Sequence, residues 1–333
     1  MEDTRIYDFE FKLLHIENNA VSLNWTLYYN DIGVYEGHFP QSPDLVKTVF
    51  GNDYLVVIQG DKQAIITGKQ LENGECILYG KTVNWILSRR ICRAFKTSEW
   101  TTDKDVESIA RYVVSQGFED EIKSGVFALG EKIGMVAPED YYFWRQKPQQ
   151  CIEIVKGCLD DGNAGHRVTY DITNRQWIFT VYKGCSIYLL VGQGQKNAYN
   201  VKYSKDIQNY YTSGIYEQQS ETVEGETPPD EGQTVWNEIQ GDADKQGIYR
   251  WQAVLNGNNP SESSSDLKSK KILETATATL YNLEYGKDYM LGDTVKLQLE
   301  FNGFRHTVSR RITGVTMWYE ANNIGQEPIF KEE

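Results

Sequence analysis

Apolar and polar residues alternate through much of the first hundred positions. Tyr7, Phe9 and Phe11 stand two apart, and Val21, Leu23, Trp25 and Leu27 run on in the same phase to Tyr29. A period of two predicts strands with one covered face. PQSPDLVKTVF breaks the phase, because Leu45, Val46 and Val49 fall at helical spacing. Strands return in GNDYLVVIQGDKQAIITGKQLE, Gly51 to Glu72. CILYGKTVNWILSRRIC follows, with Val83, Ile86 and Leu87 predicting a short helix after Gly80. Strands closed by one or two helices predict a small β-barrel over residues 1–98.

The period then changes. TTDKDVESIARYVVSQG places Val106, Ile109, Ala110 and Val113 on one stripe, with Thr102 at the N-cap, Asp105 in the first turn and Gly117 as the stop. PQQCIEIVKGCLDDGNAG repeats that grammar, with Pro148 near its start, Ile152, Val155 and Leu159 as the stripe, and Gly162 after it. A hairpin follows: HRVTYDIT, a turn at Asn174 and Arg175, then QWIFTVYKG. Residues 99–193 therefore read as an α+β domain.

Residues 194–333 return to strands, forming a second β-barrel with two long loops. Residues 221–233, ETVEGETPPDEGQ, hold five acids, no base and a Pro pair; residues 256–265, NGNNPSESSS, are almost wholly polar. Neither buries enough apolar surface to order itself. Between the second loop and the last strands, Leu273, Ala276, Leu280 and Leu283 stand at helical spacing, with Asp266 offering an N-cap. The fold class is α+β and β-rich.

The last strands echo earlier ones. In GDTVKLQLEFNGFRHTVSRRITGVTMWYE, Asp293 opens an alternating strand and Gly314 closes Ile-Thr-Gly, as Asp53 and Gly68 do in the first barrel, with six more residues between them. Glycine after a β-branched pair within a strand marks a bulge or corner, and a small barrel needs such corners to close. The echo reads either as two barrels of one kind or as a coincidence of common tripeptides.

Composition narrows the chemistry. The chain has 333 residues, with Tyr 22 and Trp 8 against Met 4, which favours pleated, half-buried surfaces. A net charge of −13 argues against stable nucleic-acid binding, which needs clustered Lys and Arg. The N-terminus MEDTRIYDFEFKLL is acidic where a secretory signal starts basic, and no apolar run is long enough to cross a bilayer. Five cysteines without CxxC spacing predict small buried hydrophobes rather than disulfides or zinc. Four scattered histidines form no ligand or nucleophile-base pattern, so no metal, cofactor or catalytic residue is expected. GQGQK reads as a turn and Asp160 to Asn163 as a helix-ending turn. The carboxylates single out no pair, yet a glycan-binding or glycan-degrading module stays open as the alternative, with Tyr141 to Trp144 as an aromatic run. The adjacent arginines Arg89-Arg90 and Arg310-Arg311 either fork onto carboxylates at domain or subunit contacts or lie solvated.

At YGKTVNWILSRRIC and YGKDYMLGDTV the chain resembles the tail-tip hub proteins of long-tailed siphophages and prophages, akin to the baseplate hub of contractile phages. The matching features are Gly80, Trp85, Leu87, Arg89 and Arg90; GHRVTYDITNRQWIFTVYKG; QGIYRWQAVL; and Tyr285, Gly286, Asp288 and Tyr289 leading through Gly292 to Asp293. They follow in order over nearly the whole chain. The resemblance implies a structural virion protein without catalytic residues, built from two tube-type β-barrels around α+β material. It implies a homotrimer that presents six similar barrels to a six-fold tail tube, and that meets DNA only in passing. Its implied partners are distal-tail or tube, tape-measure and tip proteins. Its implied place is the virion tail tip, after synthesis in the bacterial cytoplasm.

Overall fold

The computed structural model describes residues 2–93, 95–96, 105–135, 144–145, 147–218, 235–242, 244–257, 259–320 and 323–332. The chain opens with β1 (Thr4–Asp8), β2 (Leu13–Glu17), β3 (Ser22–Tyr28), β4 (Val34–Pro40), α1 (Pro43–Phe50), β5 (Leu55–Gln59), β6 (Lys62–Glu72) and β7 (Glu75–Thr82). A 3-10 turn, Val83–Arg89, leads to β8 (Ile91–Cys92) and β9 (Phe95–Lys96). The middle holds α2 (Val106–Gly117), α3 (Glu119–Lys123), β10 (Phe127–Leu129), β11 (Trp144–Arg145), β12 (Gln149–Gln150), α4 (Cys151–Asp161), β13 (Gly165–Asp171) and β14 (Gln176–Tyr182). Then come β15 (Ser186–Gly192), β16 (Ala198–Asp206), β17 (Ser213–Gln218), β18 (Val235–Gln240), β19 (Gln252–Val254), α5 (Pro260–Ser269), β20 (Leu273–Leu280), β21 (Thr294–Phe301), β22 (Phe304–Glu320) and β23 (Asn323–Glu332).

The chain is β-rich, as its alternating pattern predicts. It has two compact units. Residues 1–201 with 277–333 make one unit and residues 202–276 another, the boundaries falling inside β16 and β20. The reason is long-range pairing: β22, near the end of the chain, lies antiparallel to β3, with Gly314 opposite Tyr28 and Thr316 opposite Thr26. That ladder carries one sheet in the order β16-β20-β23-β22-β3-β4-β7-β6-β5-β1-β2, with β21 beside β22 and β15 beside β21.

The larger unit holds two apolar clusters. In one, Leu23, Trp25, Tyr35 and Phe39 from β3 and β4 meet Leu45 and Val49 of α1 and Leu55, Val57 and Leu78. In the other, the predicted stripes of α2 and α4 pack on Val168, Tyr170, Trp177 and Phe179 of the β13–β14 hairpin, with Leu87 joining them. Leu87 is wholly buried. The smaller unit is the sheet β18-β17-β19 with α5, whose core is Tyr216, Leu255 and Leu267.

Local signals explain most of the helices. Ser42 caps α1, accepting from Leu45 N, with Pro43 at its first position. Gly162 ends α4 as expected. The cap of α2 is Asp105 itself, whose carboxylate accepts from Ser108 N at 2.8 Å; Thr102 lies outside the described residues. Two expectations fail. Residues 273–280 form a strand, not a helix: Thr275, Thr277 and Thr279 alternate with Ala276 and Ala278, and β-branched alternation suits pairing between β16 and β23. Part of the polar stretch 256–265 is ordered as α5, because Asn259 accepts from Glu262 N at 2.9 Å and Pro260 opens the first turn. The expected loop 221–233 lies outside the described residues, as does the aromatic run 141–143.

Candidate functional site at the junction of the repeated strands

The two Ile-Thr-Gly segments adopt one local structure. In β6 the pairing with β7 shifts between Ile66 and Gly68, so Thr67 is the extra residue and Gly68 faces Tyr79. In β22 the pairing with β23 shifts between Ile312 and Gly314, so Thr313 is extra and Gly314 faces Ile329. Even the side-chain bond is repeated: Thr67 Oγ1 donates to Tyr79 O at 3.5 Å, and Thr313 Oγ1 to Ile329 O at 3.3 Å. A bulge of this kind bends a strand and raises its twist.

Once the bulges are aligned, a run of four strands repeats. The run β3-β4-β7-β6 matches β16-β20-β23-β22, and the only step between the runs is the β22–β3 ladder. The Asp echo does not share this register. Val56 faces Ile65 and Thr294 faces Arg311, which makes Leu55 the counterpart of Asp293. Asp53 lies two residues earlier, before the start of β5.

Asp293 nevertheless sits at the structural junction of the larger unit. Its buried carboxylate accepts Cys185 N at 2.9 Å through Oδ1 and Met290 N at 2.8 Å through Oδ2. Gly292, with φ +91°, lies against the Tyr29 ring, which a Cβ would approach to 2.3 Å. Tyr29 at the end of β3 donates toward Tyr182 O at 3.3 Å and accepts from Gly184 N at 3.2 Å. Gly165 and Gly184 leave no room for a side chain: a Cβ on Gly184 would lie 1.9 Å from Gly292 C and O. Burial pushes the Tyr29 phenol above its usual range, so it stays a neutral donor. Residues Tyr29, Gly165 and Gly184 were not singled out from sequence; the one signal was that Tyr29 continues the phase of β3.

Beside this junction is a cleft of about 450 Å3, lined by Asn84, His166, Lys183, Cys185, Tyr285 and Asp293 among others. His166 is buried, with Nδ1 2.8 Å from Asn30 Oδ1, and burial pulls its pKa down to about 4. The Tyr285 to Tyr289 segment is a tight turn: Gly286 has φ +88° and donates to Tyr289 O at 2.9 Å, and Asp288 Oδ2 accepts Glu284 N at 2.7 Å. Its two tyrosine rings lie 5.9 Å apart.

The remaining expected residues gather elsewhere in the same unit. Asp53, Trp85, Arg89 and Arg90 line one groove of about 640 Å3. Arg89 lies 5.1 Å over the Trp85 ring, and Arg90 pairs with Glu121 while facing the Phe118 ring at 5.4 Å. Arg311 donates to Asn163 O at 2.9 Å, and Arg310 is buried beside Ser309 O. Gly80 sits in β7 opposite Tyr35, where a Cβ would come within 2.9 Å of Ile65 O. Among the described residues no group of His, Cys, Asp and Glu is spaced to hold a metal ion, and no helix is long and apolar enough to cross a membrane.

The positional asymmetry gives a test. Asp293→Asn puts an amide NH2 against one of two backbone donors, and is expected to cost about 2 kcal/mol of stability. Exposed Asp53→Asn is expected to change stability by less than about 0.5 kcal/mol. Urea unfolding midpoints of the two variants check the pair, and equal effects would contradict the register given above.

The fold has relatives among solved structures. A tail protein from Neisseria meningitidis MC58 aligns over 99% of this chain and 96% of its own at a TM-score of 0.61 and 11% identity. The 43 kDa tail protein of prophage MuSo2 from Shewanella oneidensis aligns over 99% and 98% at 0.58 and 9% identity. Prophage tail protein gp18 from Listeria monocytogenes EGD-e aligns over 99% and 94% at 0.54 and 10% identity. These identities establish a shared fold alone. No curated protein sequence matches the chain. The model of one protein family matches residues 3–218, about two thirds of the chain, and on that match the chain belongs to the siphovirus ReqiPepy6 Gp37-like protein family.

Proposed function

We propose that the chain is a structural subunit of a phage or prophage tail, three copies of which form the hub that closes the tail tube at its tip. The repeat of β3-β4-β7-β6 as β16-β20-β23-β22, with matching bulges at Thr67 and Thr313, carries this reading. Two similar half-units per chain give a three-fold ring six similar positions, which suits a six-fold tube. The half-units correspond to tube-type barrels in residues 1–98 and 194–333, and the α+β segment 99–193 braces the first. The net charge of −13 suits a channel that DNA passes without being gripped through its phosphates. Tube or distal-tail, tape-measure and tip proteins are its partners in the virion, after assembly in the host cytoplasm. Its role there is mechanical rather than catalytic.

Native mass spectrometry of the full chain over a concentration series tests the reading. The expected species is three chains; a dimer or tetramer at every concentration would overturn it. Retention on a DNA column at physiological salt would overturn the passive channel alone.

A further inference from the structure

The two half-units differ in what covers one sheet face. After β4 the chain enters α1, and Leu45 and Val49 of that helix pack in one cluster with Phe39 and Cys76, which face each other and are wholly buried. The counterparts in the second run are Leu280 and Gln326, which also face each other. Gln326 stands three residues before the partner of Gly314, as Cys76 stands three before the partner of Gly68. After β20, however, no helix follows before β21. Tyr281 N donates to Asn197 O at 3.1 Å and Tyr285 N to Gln326 Oε1 at 3.1 Å, which fixes this segment as a turn.

On the face that α1 covers in the first run, the second run has a cleft of about 620 Å3. It crosses five neighbouring strands, with Tyr199 of β16, Leu280 of β20, Gln326 of β23, Met317 of β22 and Trp25 of β3 in its lining. Met317 faces both Gln326 and Trp25, and Gln326 faces Leu280, so these four side chains share one face. Met317 and Tyr319 pack against the cluster that α1 closes, so the cleft continues that core into the open. Ile324, at its edge, is 76% exposed.

We propose that this cleft docks an amphipathic helix of a partner protein, which supplies the apolar pair that Leu45 and Val49 supply in the first half-unit. The strands decide the class of occupant. β20, β23, β22 and β3 each have a strand on both sides, so the face offers an incoming segment no backbone groups, and a helix satisfies its own. The rim decides the charge. Glu2, Asp61 and Glu284 line it, and among the described residues its one lining cation, Lys62, lies 3.8 Å from Asp61. Lys287 reaches Glu284 at 3.7 Å from outside the lining, and the balance stays negative. The partner helix therefore carries Lys or Arg beside apolar residues spaced i and i+4. The inference does not depend on the three-chain ring.

The test uses α1 as its own probe. A peptide of residues 41–52 carrying Asp44→Lys, stapled because so short a helix is marginal in water, is titrated into the full chain and followed by fluorescence anisotropy. Saturable binding is expected, weakened about tenfold by Ile324→Lys, which sets a like charge at an exposed position, and likewise by Lys47→Glu in the peptide. A photoreactive benzophenone in place of Phe50 of the peptide should label Met317 or its neighbours in the cleft. Binding that does not saturate below about 1 mM, equal affinity for the Ile324→Lys chain, or labelling elsewhere would overturn the proposal. Displacement of the peptide by chitohexaose would give the cleft to a saccharide. Binding to the single chain that is lost in an assembled species would give it to a second copy, and either result also overturns the partner helix.

Discussion

Gly184→Ala is expected to lower folding stability by about 3 kcal/mol, the upper end of what overpacking costs, or to prevent folding altogether. The clash cannot be relieved by a rotamer change, because the added Cβ would sit 1.9 Å from the carbonyl carbon and oxygen of Gly292 and 2.5 Å from Asp293 N. Backbone must move, and the movement falls on the segment whose N–H groups bond the Tyr29 hydroxyl and the Asp293 carboxylate. Gly68→Ala is the control, since its Cβ would meet only Tyr79 at 3.4 Å. Urea unfolding of the two variants checks the expectation; equal midpoints would show that the junction is looser than its distances imply.

The second large effect is acid sensitivity through His166. Burial favours its neutral form, outweighing nearby Asp31, so its folded pKa is about 4 against an unfolded value of about 6.5. Between those values the unfolded chain binds the extra proton, so stability falls as pH falls through that window, by about 3 kcal/mol in all, and levels off below it. His166→Asn keeps an N–H for Asn30 Oδ1 but cannot titrate. The stability difference between wild type and this variant should therefore shrink as the pH is lowered from 7.5 to about 4. A difference that stays constant would remove His166 from the account. His38 acts with the opposite sign: partial burial pulls it down, but Glu36 and Glu75, each at 2.9 Å, outweigh this and raise its pKa. Its contribution fades as pH rises above its unfolded value, so it does not mimic the His166 effect.

How much of this was legible in the sequence depends on the distance over which each signal acts. The β3 phase, the stripes of α2 and α4, and the turn at Asn174 and Arg175 are local, and each appears where the pattern places it. The Ile-Thr-Gly bulges were legible for the same reason. Leu273 to Leu283 misled because a spacing of three and four residues fits a helix, while the alternating threonines between fit a strand; pairing with distant β23 decided the matter. The Asp53 and Asp293 match came from local appearance, and only the pairing register separates an exposed turn residue from a buried anchor. The Tyr29, Gly165 and Gly184 contact joins segments far apart in the chain, and no periodicity records such a meeting. The same holds for the β22–β3 ladder, which makes the first and last strands one sheet.

An electron cryomicroscopy map of the assembled oligomer tests the central claim most directly, because it reads symmetry and the repeat together. The account predicts a three-fold ring around an open channel, with six near-equivalent positions at which the Thr67 and Thr313 bulges alternate at equal radius. A ring in which the two bulges lie at different radii, or a closed two-fold particle, would contradict it.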